Sequence, residues 1–165
     1  MTERLEKIAA AWALAGGALL LSIALVTVTN AGAFLIDRLA RLAGGTVSGL
    51  PGYEDFVRLA VSCAALMLIP FCQARRGHIA VDLVLSRFPR NLRRAFDRIA
   101  AAGIAALALF LAYWMAIGMA ETRSDHALSR VLGWPEWPFY LPGIASLLLW
   151  AAIALAQAME RDADG

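Results

Sequence analysis

Residues 8–36 read IAAAWALAGGALLLSIALVTVTNAGAFLI, a stretch of 29 positions without a charged side chain. A helix needs about 20 apolar residues to cross the hydrocarbon core of a bilayer. Because lipid offers no hydrogen-bond partners to an open backbone, a helix is the expected conformation. The stretch therefore predicts a transmembrane helix that is longer than required, and that tilts or projects beyond the bilayer.

Three further apolar stretches of spanning length follow the first one, at residues 56–74, 99–120 and 137–159. Hydrophobic residues make up 61% of the chain, and soluble domains typically contain roughly 45–50%. The sequence therefore predicts an all-α membrane protein with four transmembrane helices. Its length favours a single membrane domain over residues 1–165.

Basic residues are distributed unequally between the two sides of these spans. Ten lie in the two tails and the connection between spans two and three: Arg4, Lys7, Arg75, Arg76, Arg87, Arg90, Arg93, Arg94, Arg98 and Arg161. The other side has five: Arg38, Arg41, Arg58, Arg123 and Arg130. Because basic residues accumulate on the cytoplasmic side, both termini and the middle connection are predicted to be cytoplasmic.

The middle connection contains a segment with helical periodicity. His78, Asp82 and Ser86 recur every four positions, and apolar residues occupy the other faces. Residues 78–88 are therefore predicted to form an amphipathic helix at the membrane interface or against a partner.

The interiors of the predicted spans lack the side chains that ion transport or catalysis needs. They contain no Asp, Glu, Lys or His, the residues that usually mark ion paths and proton relays in membranes. Phosphate-binding glycine motifs and zinc-ligand spacings are also absent from the sequence. We therefore expect a chain that is not an enzyme, with no catalytic or substrate-binding residue, no metal site and no cofactor. The net charge of +2 gives no indication of nucleic-acid binding.

The most specific motif of the chain is RRGHIAVD at residues 75–82. It closely resembles the signature of the small membrane subunit of tripartite ATP-independent periplasmic (TRAP) transporters. In that signature, one or two basic residues precede Gly-His-Ile-x-Val-Asp at the cytoplasmic end of the second span. Two further features match in order. Glu54 and Arg58 resemble the acidic and basic residues at the start of span two, and the entry of span four has the matching residues Trp137, Tyr140 and Pro142.

The resemblance implies a division of labour between three proteins. A large membrane permease subunit carries the substrate and sodium sites, and a soluble periplasmic solute-binding protein delivers the substrate, usually an organic acid. The small subunit resembles a scaffold that braces the large one in the bacterial inner membrane and helps dock the binding protein. The alternative for the present chain is a membrane anchor or assembly factor without a transport partner.

Eight residues are candidates for subunit-interface or structural roles: Glu54, Arg58, Arg75, Arg76, His78, Asp82, Trp137 and Pro142. Glu54 and Arg58 can pair on one helical face, or Arg58 can contact a backbone carbonyl of a neighbouring helix. His78 and Asp82 form either a solvated polar face or an anchor for the interfacial helix, and the resemblance favours the anchor.

The remaining candidates are charged residues near lipid headgroups or in the connections. Arg75 and Arg76 are expected to hold the end of span two at anionic lipid. The candidates for docking the binding protein are Arg38, Arg41, Arg123, Asp125 and Arg130.

Overall fold

The computed structural model describes residues 2–75 and 90–159, which are mostly helical. The elements in chain order are α1 (Thr2–Leu42), α2 (Tyr53–Ala74), α3 (Arg90–Ser124), a 3₁₀ turn (Trp137–Phe139) and α4 (Tyr140–Met159). All four α-helices are long and apolar enough to cross a membrane, which confirms the predicted all-α fold with four spans. The predicted interfacial helix at 78–88 lies outside the described residues.

The first helix extends beyond its apolar stretch at both ends. It contains 41 residues, about 61 Å at 1.5 Å per residue, whereas the hydrocarbon core is about 30 Å thick. Its charged ends stay helical with support from ion pairs one turn apart, Lys7 with Glu3 at 3.0 Å and Arg41 with Asp37 at 2.8 Å. Helix α1 therefore continues past residue 36, where the predicted span ends, and the first connection begins after Leu42.

Glycines shape both ends of the first connection. Gly44 has φ 77° and lies two positions after the last residue of α1, and the Gly45 N–H donates to the Ala40 carbonyl at 2.8 Å. Gly52 has φ 78° and directly precedes α2. Residues with a side chain rarely adopt this left-handed backbone, so glycine permits the chain to reverse at both positions.

The helices pack side by side in an order that differs from their order in the chain. The most extensive contacts join α1 to α2, α2 to α4 and α4 to α3, with a smaller contact between α1 and α4. Helices α1 and α3 therefore lie at opposite edges of the bundle. The connections 43–52 and 125–136 lie together at one end, called here the loop end. The start of α1 and the ends of α2 and α4 lie at the other, called the terminal end.

Small residues allow this close packing. A Cβ atom on Gly16 of α1 would lie 2.8 Å from the Cβ of Met67 on α2. A Cβ atom on Gly143 of α4 would lie 2.9 Å from a methyl carbon of Leu66. Among the α3 side chains that the structure describes, the buried ones are all alanines: Ala101, Ala105, Ala108 and Ala112. In lipid no hydrophobic effect drives helices together, so their association depends on van der Waals packing. Small residues allow the backbones to approach closely and improve that packing.

Candidate partner-binding surface

The loop between α3 and α4, residues 125–136, has a defined internal structure. Ser129 and Trp134 exchange hydrogen bonds, since the Ser129 N–H donates to the Trp134 carbonyl at 2.8 Å and the Ser129 hydroxyl accepts from the Trp134 N–H at 3.1 Å. Leu128 and Pro135 form an isolated antiparallel bridge. Gly133 supplies the turn with φ 64°. The loop is therefore a short closed turn that holds its own shape.

A carboxylate of α2 fastens this loop to the bundle. One Asp55 oxygen accepts hydrogen bonds from the Val131 N–H at 2.7 Å and the Leu132 N–H at 3.1 Å. Asp55 is only 6% exposed. Hydrogen bonds from backbone N–H groups to an ionised carboxylate are stronger than neutral ones. Asp55 therefore fixes the α3–α4 loop relative to α2.

The ion pair of Arg58 joins it to a residue outside α2, and not to Glu54, which was one of the two contacts considered for it. The Arg58 guanidinium pairs with the carboxylate of Glu136, which directly precedes the 3₁₀ turn, while Glu54 accepts a hydrogen bond from the Tyr53 hydroxyl at 3.3 Å. The pair with Glu136 joins residues 78 positions apart in sequence, so a search for charges one helical turn apart does not find it. Because the Arg58 side chain is 56% exposed, we expect the pair to orient the loop and to stabilise it little.

The first connection is fastened to α1 by two polar side chains. The Asn30 carboxamide oxygen accepts from the Leu50 N–H at 2.9 Å, and an Asp37 oxygen accepts from the Val47 N–H at 2.8 Å. The buried Asn30 lies inside the longest apolar stretch of the chain. These bonds hold the segment from Val47 to Leu50 against the last turns of α1. Both connections at the loop end are thus held by side chains of the spanning helices.

The five docking candidates all lie exposed at this loop end. Arg38 and Arg41 belong to the end of α1, and Arg41 is paired with Asp37. Arg123 lies at the end of α3, with its guanidinium 5.0 Å from the centre of the Trp137 ring. The loop itself contains Asp125 and Arg130. The structure thus brings the candidates to one end of the molecule, and their docking role remains a prediction.

Apolar side chains accompany these charges on the α3–α4 loop. Leu128, Val131 and Trp134 are exposed, and the Trp134 ring stacks on Phe139 at 6.4 Å between ring centres. Aromatic residues and arginine are enriched in the centres of protein interfaces. The loop therefore combines a fixed backbone with the side-chain types that bind protein partners.

The terminal end contains a second polar cluster that the sequence did not indicate. Gln73 of α2 donates to the Gln157 side chain of α4 at 2.7 Å, and Gln157 donates back to the Gln73 backbone carbonyl at 2.9 Å. The Trp150 indole N–H donates to the Gln73 side chain at 3.2 Å. Two positions along the chain from Gln73, Arg75 pairs with Glu6 of α1 at 3.3 Å. This end of α2 is therefore fixed to α1 and α4 where the RRGHIAVD motif begins.

The remaining predicted residues divide between the two ends. Pro142 belongs to the first turn of α4, and its carbonyl accepts from the Ser146 hydroxyl at 2.6 Å. Ser146 in turn accepts from the Trp12 indole N–H at 2.8 Å, which links α4 to α1. Arg76, His78 and Asp82 lie outside the described residues. Within the described part of the chain, no group of three or more His, Cys, Asp or Glu side chains could hold a metal ion.

Four spanning helices with ordered polar clusters at both ends define a multi-pass helical membrane protein. Residues 31–164 match the family model described as "Tripartite ATP-independent periplasmic transporters, DctQ component", and the chain belongs to this family. This match confirms the resemblance found from the RRGHIAVD motif. The family is a transporter component family, not an enzyme family. No curated protein and no solved structure matched the chain.

Proposed function

We propose that this chain is the scaffold subunit of a sodium-driven secondary transporter that depends on a binding protein and imports a small organic anion. In this role it braces a large permease subunit and helps dock a periplasmic solute-binding protein. The chain lies in the bacterial inner membrane, with its termini in the cytoplasm and the loop end in the periplasm. The unequal distribution of basic residues supports this orientation.

The bracing role is supported by the surfaces of α1 and α3. Both helices lie at the edges of the bundle and expose large apolar side chains along their length, such as Leu14 and Leu25 on α1 and Phe110 and Trp114 on α3. Lipid or another membrane helix can cover these surfaces. Since the spans contain no Asp, Glu, Lys or His in their interiors, substrate and sodium binding belong to the large subunit.

The observation that carries the docking role is the attachment of the α3–α4 loop by Asp55. A loop that is already ordered loses little conformational entropy when a partner binds, so more of the contact energy appears as affinity. The loop presents Arg130 together with exposed Leu128 and Trp134. This composition fits a partner surface with an apolar centre and acidic groups around it.

Affinity purification of the tagged chain from its native membranes in mild detergent tests the bracing role. A large polytopic protein that co-elutes in stoichiometric amount is the expected result. Elution alone, or with a complex that does not transport, would contradict the proposal and favour a membrane anchor or assembly factor.

Uptake by proteoliposomes containing both membrane subunits tests the docking role. We expect Asp55→Ala to raise the binding-protein concentration that gives half-maximal uptake several-fold, with little change in the maximal rate, because the loop loses its attachment. Asp55→Asn retains a neutral acceptor, so it should raise the half-maximal concentration less than Asp55→Ala does. The control is Asp97→Asn, which removes an exposed carboxylate near the start of α3, away from the loop end. Equal half-maximal concentrations for Asp55→Ala and the unmodified chain would refute this role of Asp55.

A further inference from the structure

Three contacts establish how α1 is aligned along α2. Near the terminal end, Glu6 pairs with Arg75 at 3.3 Å. In the middle, Gly16 lies against Met67. Near the loop end, Asn30 bonds to Leu50, just before α2 begins. The two helices therefore run antiparallel and in constant register along their shared length.

This register shows that α1 extends well beyond the other helices at the loop end. The segment from Asp55 of α2 to Arg75, the residue that directly follows α2, is about 30 Å long, which equals the thickness of the hydrocarbon core. Counting the same distance along α1 from Glu6 places the level of Asp55 at about residue 26. Helix α1 continues to Leu42, so residues 27–42 project about 24 Å further. We call residues 27–42 the α1 overhang.

The level of Asp55 is also the level of polar groups on the neighbouring helices. Arg58 of α2 pairs with Glu136, which directly precedes the 3₁₀ turn leading into α4. Arg123 lies over the ring of Trp137 near the start of α4. Charged groups and tryptophan mark the boundary between lipid and water. The α1 overhang therefore rises above the bilayer surface that α2, α3 and α4 define.

The α1 overhang nevertheless exposes large apolar side chains beside its three charged residues, Asp37, Arg38 and Arg41. Its exposed large side chains include Leu35 and Leu39, which are 63% and 61% exposed and lie one turn apart on the same face. Phe34, Ile36 and Leu42 are exposed as well. The 43–52 connection covers only part of the helix, through its bonds to Asn30 and Asp37. A concentration of apolar surface of this kind outside the bilayer marks a protein interface.

We propose that the α1 overhang is a permanent binding surface for a part of the large permease subunit that rises above the bilayer on the loop side. This assignment rests on the proposed function. To cover the overhang with lipid, the bilayer would have to thicken locally by far more than the few ångströms that hydrophobic mismatch usually involves. A soluble protein that binds and leaves would repeatedly expose this apolar surface to water, whereas permanent interfaces are the more apolar ones. On this assignment the exposed Arg38, which the sequence offered as a docking candidate for the binding protein, instead fits an acidic group at the rim of the large-subunit surface.

Photo-crosslinking in native membranes tests this proposal. A benzophenone amino acid at Leu35 or Leu39 should form a crosslink to the large permease subunit, identified by mass spectrometry. The same group at Leu14, which is exposed at mid-span, is the control for a position within the bilayer. Crosslinks from Leu35 and Leu39 to lipid alone would overturn the proposal, as would crosslinks to the soluble binding protein.

Introducing a charged residue into the overhang tests the same proposal by a second measurement, co-purification. Leu39→Glu should reduce the amount of large subunit that co-purifies with the tagged chain about tenfold, as expected for a central interface residue. Ser124→Glu adds the same charge to the loop end of α3, at the opposite edge of the bundle, and should leave co-purification unchanged. Full co-purification with Leu39→Glu would overturn the inference while leaving the scaffold role intact. Failure of the unmodified chain to bind any large permease would instead contradict the proposed function.

Discussion

Replacing Gln73 by leucine tests the cluster that joins α2 to α4 at the terminal end. Gln73 is 5% exposed, and its side chain donates to Gln157 and accepts from the Trp150 indole N–H. Leucine has a similar volume and keeps the apolar contacts, so the change isolates the hydrogen bonds. The backbone bond from Gln157 to the Gln73 carbonyl can survive it.

The expected loss can be estimated from these bonds. Hydrogen bonds between transmembrane helices contribute about 0.6 kcal/mol on average, and up to about 1.7 kcal/mol. Losing two of them predicts that Gln73→Leu lowers the free energy of unfolding by about 1–3 kcal/mol. Since the Gln157 side-chain oxygen loses its donor in the variant, Gln157→Leu should cost less in the Gln73→Leu background than in the unmodified chain.

A double-mutant cycle measures this coupling directly. The free energy of unfolding is obtained for the unmodified chain, both single variants and the double variant, from SDS titration in mild detergent followed by circular dichroism. We expect a coupling energy of about 0.5–2 kcal/mol, in the range found for residues in contact. The control is Cys72→Ala, an exposed position next to Gln73, which should change stability little. A coupling energy near zero would show that the two side chains do not bond, and would refute the reasoning.

One further substitution tests a contact between helices, and two test the attachment of the α3–α4 loop. Gly16→Val should lower the free energy of unfolding by about 1–3 kcal/mol through overpacking, whereas Gly17→Val, which meets no atom within 4 Å, should have little effect by the same SDS titration. Arg58→Leu should cost less than about 1 kcal/mol because its pair with Glu136 is exposed, and a larger loss would assign it a buried role. Asp55→Ala should speed limited proteolysis within residues 125–136 relative to the unmodified chain, and an unchanged cleavage rate would contradict its role in fastening the loop.

The candidate site could be predicted from the sequence only in part. The charged residues of the connections were identifiable because charges are excluded from the spans. Asp55 was not selected, although an acidic residue in the first turn of a helix is a recognisable signal. That signal indicates a favourable position for the carboxylate and gives no information about its partners. Val131 and Leu132 follow Asp55 by 76 and 77 positions, and only the packing of α2 beside the α3–α4 loop brings them together.

The choice of partner for Arg58 shows the same limit. Spacing along one helix favoured Glu54, since residues four positions apart face the same side. In the folded chain, Glu136 lies within reach of the guanidinium. A flexible arginine side chain can use either carboxylate, and tertiary packing decides which one is near.

The sequence by itself determined the four spans and the family. Each span depends on the composition of one continuous segment, because a backbone in lipid must satisfy its hydrogen bonds within that segment. The RRGHIAVD motif is likewise a local pattern. Only the tertiary structure decided the order of the helices, the attachment of the loops and the projection of α1 beyond its neighbours. These features depend on which residues of different helices lie at the same level, and the contacts that set this register, such as Gly16 against Met67, join positions far apart in the chain.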